Sequence, residues 1–492
     1  MIIKKDPSII QSYLEDSSNL AGGHALEVVI PKDFLEASSF LKEANDQKIS
    51  VTISGGGTGT SGGRIPFGGA VLSTEKLNKI KTPASGGPKK NKISCEAGVL
   101  IKDLKEYAAK KGLFYTYDPT EQSAFIGGTI ATNASGARSF KYGSTRESVN
   151  ALTICLADGS IFKIQRGAIK AKDGKLKFEA GGKNYQIPVP TYKMSKTKNS
   201  AGYFAERGMD LIDLFICQEG TLACILEATL KFNPKPEDIL SCFAFFETEE
   251  EAMHFAMEAR DISKAKTRKN EKDIDALSIE YFDKYTLNLI RKKSRNVPDG
   301  SKGCVFFEQE ISKEKEEAII NGWEGLLTKY GSSLNNTWVA MNDKDRQNLL
   351  DIRHSLGESM NEMTKANNFP KVTTDLAVPS DKLEDMMTYY KKVLDALGVQ
   401  YFLFGHIGDS HIHMNLMPKN ETEFTHSKNA AMDFIKKSVS LGGTVSAEHG
   451  IGKLRREYLK ILYGDDGIKE MLEVKKILDP NLILGRGNIM SL

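Results

Sequence analysis

The chain's 492 residues exceed what one ordinary domain holds and suffice for two or three, each with its own core. Its 67 Lys+Arg against 64 Asp+Glu leave a net charge of +3, which makes no electrostatic case for a nucleic-acid partner; the lysine clusters around 163–198 and 264–302 read as solvated local patches. No apolar run approaches the ~20 residues that span a bilayer, and Met1-Ile2-Ile3-Lys4-Lys5-Asp6 has no secretory apolar stretch. A cytoplasmic location is therefore expected, with peripheral attachment to the inner face of the membrane left open because basic loops favour an anionic surface. Cys95, Cys155, Cys217, Cys224, Cys242 and Cys304 form no CxxC pair and sit in apolar contexts, so buried reduced thiols are expected rather than bridges, zinc ligands or an iron–sulfur cluster.

Along the chain, Val51-Thr52-Ile53 reads as a strand that runs into Gly55-Gly56-Gly57-Thr58-Gly59-Thr60-Ser61-Gly62-Gly63. Glycines reach φ > 0 and let an anion approach consecutive amides, so this turn suits a diphosphate, against the plainer reading of a flexible glycine loop. Gly57-x-Gly59-x-x-Gly62 satisfies the dinucleotide fingerprint in spacing only. A Rossmann turn opens into a long helix, and Gly63, Pro66, Gly68 and Gly69 forbid one here. The next run, Ala70-Val71-Leu72, reads as another strand, and the Gly-Lys-Ser/Thr ending of a P-loop is missing.

Residues 1–235 continue as an α+β half, with a helix expected over Leu100 to Lys111 and polar excursions at 84–92 and 166–186. The prolines of Asn233-Pro234-Lys235-Pro236 mark a boundary. A second unit over 236–445 alternates strands with charged helices, at Glu249 to Asp261, Lys344 to Thr364 and Ser380 to Gly398, as in an antiparallel sheet covered by helices. Ala430 to Leu441 reads as a further helix, and a terminal segment, 446–492, as a glycine turn with two short helices.

Five of the eight histidines fall between 406 and 449. Tyr401 to Gly405 reads as a strand, 407–410 as a turn and His411 to Asn415 as the returning strand, where period two puts His411, His413 and Asn415 on one face and leaves His406 at the rim. Glu448-His449 adds a carboxylate and an imidazole before a helix-like segment. Two imidazoles and a carboxylate suit Zn²⁺ or Mn²⁺ with one position open to acidify an alcohol, and the remaining histidine could take its proton. A polar hairpin whose histidines bond to backbone is the alternative.

Several segments in one order resemble a known family: the glycine loop, Asp118-Pro119-Thr120, Ile126 to Gly136, Lys141-Tyr142-Gly143, Lys198 to Tyr203, Glu219-Gly220-Thr221-Leu222, Phe404 to Asn415, Ala447 to Gly452, and Asp479-Pro480 with Gly487-Asn488. They resemble the flavin-dependent D-2-hydroxy-acid dehydrogenases of the vanillyl-alcohol-oxidase superfamily, which include D-lactate dehydrogenases and the glycolate oxidase flavoprotein subunit. The resemblance implies an α+β fold, with a two-subdomain FAD-binding domain over 1–235, an antiparallel-sheet cap with the metal motif over 236–445, and a segment over 446–492 that returns to the flavin. It implies FAD contacts at Gly55, Gly56, Gly57, Thr58, Gly59, Thr60, Ser61, Gly62, Pro119, Thr120, Gly127, Gly128, Thr129, Asn133, Gly136, Tyr142, Gly143, Glu219, Gly220 and Asn488.

By the same resemblance His406, His413 and Glu448 are metal ligands for Zn or Mn, His449 is the base, Arg353 pairs with the substrate carboxylate and Asn415 holds substrate or the metal-bound oxygen. The reaction implied is oxidation of a small D-2-hydroxy acid, D-lactate or glycolate in kind, with hydride to flavin N5. Electrons would pass to a separate quinone, cytochrome or electron-transfer flavoprotein, and a homodimer is compatible with the pattern. Ala223 replaces a usual glycine, and His411 stands where relatives often have asparagine, which adds a ligand or alters the bonding around the metal. Thr373-Thr374 precede Asp375 with Lys371 the nearest lysine, so a second substrate carboxylate is not expected. The loop has no histidine or cysteine for covalent flavin attachment. Two other readings remain: a redox-neutral flavoenzyme like alkyl-dihydroxyacetone-phosphate synthase, and a non-catalytic FAD-binding subunit of a dehydrogenase complex.

Overall fold

The structure, a computed structural model, describes residues 1–81, 91–117, 119, 121–265, 273–294, 296–340 and 342–491. Strands Ile2–Lys4, Glu27–Ile30, Val51–Ser54 and Ala70–Ser73 form the first sheet, in the order first, second, fourth, third. The last three run parallel. Helix Phe34–Asp46, capped by the Asp33 carboxylate accepting from Glu36 N at 2.9 Å, provides one crossover. The other, residues 55–69, returns with no helix, as its glycines and Pro66 require.

A second, antiparallel sheet orders Ile80–Lys81, Lys92–Glu96, Cys224–Lys231, Val149–Cys155 and Ile161–Gln165. Helix Ile101–Ala109 lies where periodicity puts it, and the 166–186 excursion contains most of the hairpin Lys175–Ala180 with Lys183–Pro188. Of the 84–92 excursion, residues 84–90 lie outside the described residues. All six cysteines are buried and free.

From Asp238 onward an 8-stranded antiparallel sheet is built from Asp238–Phe246, Ala276–Phe282, Gly303–Ile311, Thr337–Val339, Tyr401–Gly405, His411–Leu416 and two short strands. Both faces are covered, so even the polar Ser241, Ser278, Glu280 and Glu308 within these strands are buried. Cys242, Ala244 and Phe246 join one core with Phe255, Trp323, Tyr390 and Phe434, while Phe243 and Phe245 join another with Leu287, Leu349 and Leu356. Trp323 stacks on Phe307 with ring centroids 3.9 Å apart and donates from its indole to Gln309 Oε1 at 3.0 Å.

The helices extend beyond their apolar signal wherever a polar cap starts them early. The helix expected over 430–441 runs Glu421–Ser440 because the Asn420 side chain accepts from Glu423 N at 2.9 Å, and Asn342 starts Asp343–Asn367 in the same way. Residues 380–382 are a 3₁₀ turn ahead of Leu383–Leu397. The two terminal helices share Arg456–Leu478, broken at Gly464 with φ 69° and ψ 178°. The chain then comes back to the first sheet, where Val51 N donates to Ile483 O at 2.7 Å and Gly485 N to Val51 O at 2.9 Å.

The two halves meet through partly buried polar contacts. Arg138 grips Glu308 with two nitrogens at 2.9 and 3.0 Å, Ser139 Oγ donates to Asp409 Oδ2 at 2.7 Å, and Tyr142 donates to Glu310. Because Glu308 is buried, Arg138→Met strands a carboxylate and is expected to cost about 3–5 kcal/mol, whereas adding Glu308→Gln recovers most of the loss. Urea unfolding of the single and double variants measures this, and equal losses in both contradict it.

Candidate active site

A cavity of about 480 Å³ opens between the first two sheets and the terminal segment. Of the residues implied as FAD contacts, Gly55 through Ser61, Pro119, Gly127, Gly128, Thr129, Glu219 and Gly220 line it. The amides of residues 55–61 donate no hydrogen bond to a protein acceptor among the described residues. A Cβ on Gly59 or Gly128 meets no other segment of the described residues within 4 Å, so packing against them does not demand glycine there and their small size leaves room in the cavity. Free consecutive amides beside such space fit the phosphates and body of a dinucleotide.

Gly62, Asn133, Gly136, Tyr142, Gly143 and Asn488 are not among the lining residues, and Thr120 lies outside the described residues, as does Asp118. Gly62, at φ 73°, backs onto Leu20, and the Gly136 carbonyl accepts from Ser139 Oγ at 2.7 Å. Asn133, at φ 50°, accepts from Arg146 N at 3.0 Å, and Gly143, at φ 82°, ends the helix whose Tyr142 reaches Glu310. The Asn488 amide donates to Gly63 O at 2.8 Å and Glu219 O at 2.9 Å, bracing the glycine loop from behind.

At one end of the cavity, whose lining includes Glu448 and His449, stands the histidine cluster. His406, His411, His413 and Glu448 each offer a ligand atom within 4.8 Å of the others. His406 Nε2 is 3.5 Å from Glu448 Oε2 and His413 Nε2 is 3.4 Å from Glu448 Oε1. His406 Nδ1 bonds Glu280, which leaves Nε2 for a ligand role and matches the carboxylate support that metal-binding histidines receive. Imidazole nitrogens with one carboxylate fit a divalent transition ion.

Charge compensation holds these buried acids ionised. Burial alone would raise Glu448, but Lys198, 2.6 Å away, and His406 outweigh it and hold the carboxyl well below its usual range. Burial likewise opposes Glu280, and Arg353 with His406 overcomes it, drawing the carboxyl down. Arg353 Nε donates to Glu280 Oε2 at 2.7 Å, so this arginine faces into the fold rather than lying on a helix surface. Burial lowers His449 despite nearby Asp375, which favours the neutral imidazole a base requires. Burial, then His413, pushes His411 down to about 3. The Asn415 amide nitrogen is buried with no hydrogen-bond partner among the described residues, a donor suited to a bound oxygen.

Two buried carboxylates fix the turn that carries Glu448 and His449. Asp375 Oδ2 accepts from Ser446 Oγ at 2.7 Å and His449 N at 2.9 Å, and lies 3.4 Å from His449 Nδ1. Glu219 accepts from Ile451 N at 2.8 Å and Gly452 N at 2.6 Å. Lys198, Glu280 and Asp375 also belong to the site, beyond the residues expected from the sequence. The available signal was a charge inside an apolar strand, since every residue of Ala276–Phe282 around Glu280 is buried.

Burial raises Glu219 from 4.5 to about 7. The unfolded carboxyl ionises first, so this group's contribution is complete below pH 4.5 and is lost as pH rises towards 7, by up to about 1.4 kcal/mol per unit. Wild type should therefore lose more urea stability between pH 5 and 7.5 than Glu219→Gln; parallel pH profiles would contradict the shift.

Two family models match: "FAD binding domain" over residues 25–165 and "FAD linked oxidases, C-terminal domain" over 235–489. The chain is 30% identical to a D-lactate dehydrogenase of Archaeoglobus fulgidus, covering 94% of this chain and 91% of that one. It is 27% identical to the glycolate oxidase subunit GlcD of Bacillus subtilis, over 94% and 88%. An alkyldihydroxyacetonephosphate synthase structure superposes with a TM-score of 0.67 at 15% identity, covering 98% of this chain and 82% of that one, a likeness of fold. The architecture is thus the α+β, two-subdomain FAD-binding fold of the vanillyl-alcohol-oxidase type with an antiparallel cap. Free amides edge this cavity, and the two family models with a relative matched over 94% of the chain place it in the FAD-linked oxidase family as an FAD-dependent oxidoreductase.

Proposed function

We propose that this protein oxidises a small 2-hydroxy acid of the D-lactate or glycolate kind to the 2-oxo acid, with FAD held non-covalently. The observation that carries the reading is that Glu448 and His449 line the same cavity as the glycine loop, so a proton acceptor adjoins the flavin space. Bound FAD supplies a two-electron acceptor for the Cα hydride, and a divalent ion, Zn²⁺ or Mn²⁺, supplies Lewis acidity at the hydroxyl oxygen.

The protein's own residues do the rest. His449 takes the hydroxyl proton at a ring nitrogen while Asp375 steadies the ring. Arg353, its plane set by Glu280, binds the substrate carboxylate, and the Asn415 amide donates to a substrate oxygen. His406, His413 and Glu448 hold the ion. In this reading 1–235 binds FAD, 236–445 covers the substrate and 446–492 brings the base to the flavin. Electrons leave to a separate quinone, cytochrome or electron-transfer flavoprotein.

Three outcomes test this. His449→Ala should keep its FAD while turnover of D-lactate or glycolate falls about 10²–10⁴-fold, and unchanged turnover would sink the role. Exhaustive chelation should abolish turnover, with Zn²⁺ or Mn²⁺ restoring it; full activity in demonstrably metal-free protein removes the ion from the account. Gly128→Leu should leave the apoprotein's melting temperature nearly unchanged but weaken FAD binding by about tenfold or more, ~1.4 kcal/mol, read by flavin fluorescence. Undiminished affinity would put the cofactor elsewhere.

A further inference from the structure

We infer that His411 is a direct ligand of the metal centre, making a set of three imidazoles and one carboxylate; this rests on the metal reading proposed above. His411 and His413 share one face of strand His411–Leu416, with ring centroids 4.4 Å apart, and the His406 ring lies 5.3 Å from His411. One ligand atom from each of His406, His411, His413 and Glu448 lies within 4.8 Å of the rest. With bonds of roughly 2.0–2.2 Å, donors on one ion lie within roughly 4.4 Å of each other, so the cluster needs to contract by only a few tenths of an ångström.

The His411 ring has one polar neighbour besides the cluster, the Asp375 carboxylate. It is fully buried, and neither ring nitrogen makes an aligned hydrogen bond among the described residues, an unusual state for a buried polar group. Asp375 Oδ1, itself buried without a hydrogen bond, lies 3.0 Å from His411 Nε2. A hydrogen bond between that pair would fix the proton on Nε2 and leave Nδ1 as the donor to the ion. Glu280 serves His406 in the same way, so each of the two most buried histidines has its own carboxylate behind it.

The fourth donor has a chemical consequence. Four protein ligands close a tetrahedral site, so keeping a position for the substrate oxygen requires an ion that accepts five or six ligands, as Mn²⁺ or Fe²⁺ does. The test is pulsed electron paramagnetic resonance of the FAD-loaded protein with Mn²⁺ as probe and ¹⁵N-labelled histidine, counting directly bonded imidazole nitrogens. Wild type should give three, and His411→Asn two, with its Mn²⁺ dissociation constant raised at least about tenfold. Two nitrogens in wild type overturn the role of His411 and leave the two-histidine centre standing. No specific Mn²⁺ or Zn²⁺ binding by wild type overturns the metal reading itself, and this inference with it.

Discussion

The turn 446–452 is held from both sides by buried carboxylates, and the arrangement of the site depends on that grip. Asp375 comes from the cap and takes the Ser446 hydroxyl and the His449 amide; Glu219 comes from the other half and takes the amides of Ile451 and Gly452. Each acid is almost wholly buried, where an unpaired charge or polar group is costly, so neither grip is loosely made. The result is one short loop whose position relative to both the glycine turn and the histidine strand is set by hydrogen bonds rather than by its own sequence. His449 therefore stands at a fixed place in the cavity wall, as the base proposed for hydroxy-acid oxidation must.

Around that loop the charges are arranged in alternation. Glu280, Glu448 and Asp375 are matched by Arg353, Lys198 and Arg455 at contact distances of 2.7, 2.6 and 3.3 Å. Buried ion pairs of this kind are not an efficient way to stabilise a fold, since desolvation offsets most of the attraction. Their value is preorganisation: dipoles and charges fixed before substrate arrives need not reorganise during the reaction. Lys198 lies 2.6 Å from Glu448, so the proposed ion would share that carboxylate with, or take it from, a cation already in place.

Much of this was legible in the sequence because backbone demands leave strong marks. The glycine run could not open a helix on steric grounds, and residues 55–61 do line the cavity with amides that bond no protein acceptor among the described residues. The His411–Leu416 alternation put three polar side chains on one face, as period two requires. The anchoring acids were harder to see. Glu280 and Asp375 act across more than seventy residues of chain, on partners no local period relates to them, and only the assembled sheet brings them to His406 and His449. Asn133, Gly143 and Asn488 carried strong local signals, but those signals belong to turns and braces behind the cavity wall. Helix Glu421–Ser440 extends beyond its apolar signal because its first turns are polar and its start is fixed by Asn420, a cap rather than a periodicity.

The central claim is that a hydroxy acid delivers electrons to flavin in this cavity. An anaerobic visible spectrum of the FAD-loaded protein, recorded as D-lactate, L-lactate, glycolate and 2-hydroxyglutarate are added in turn, tests it directly. The account predicts that the oxidised flavin band bleaches with D-lactate or glycolate. A flavin that stays oxidised with all four acids would contradict it and favour redox-neutral chemistry on the same fold.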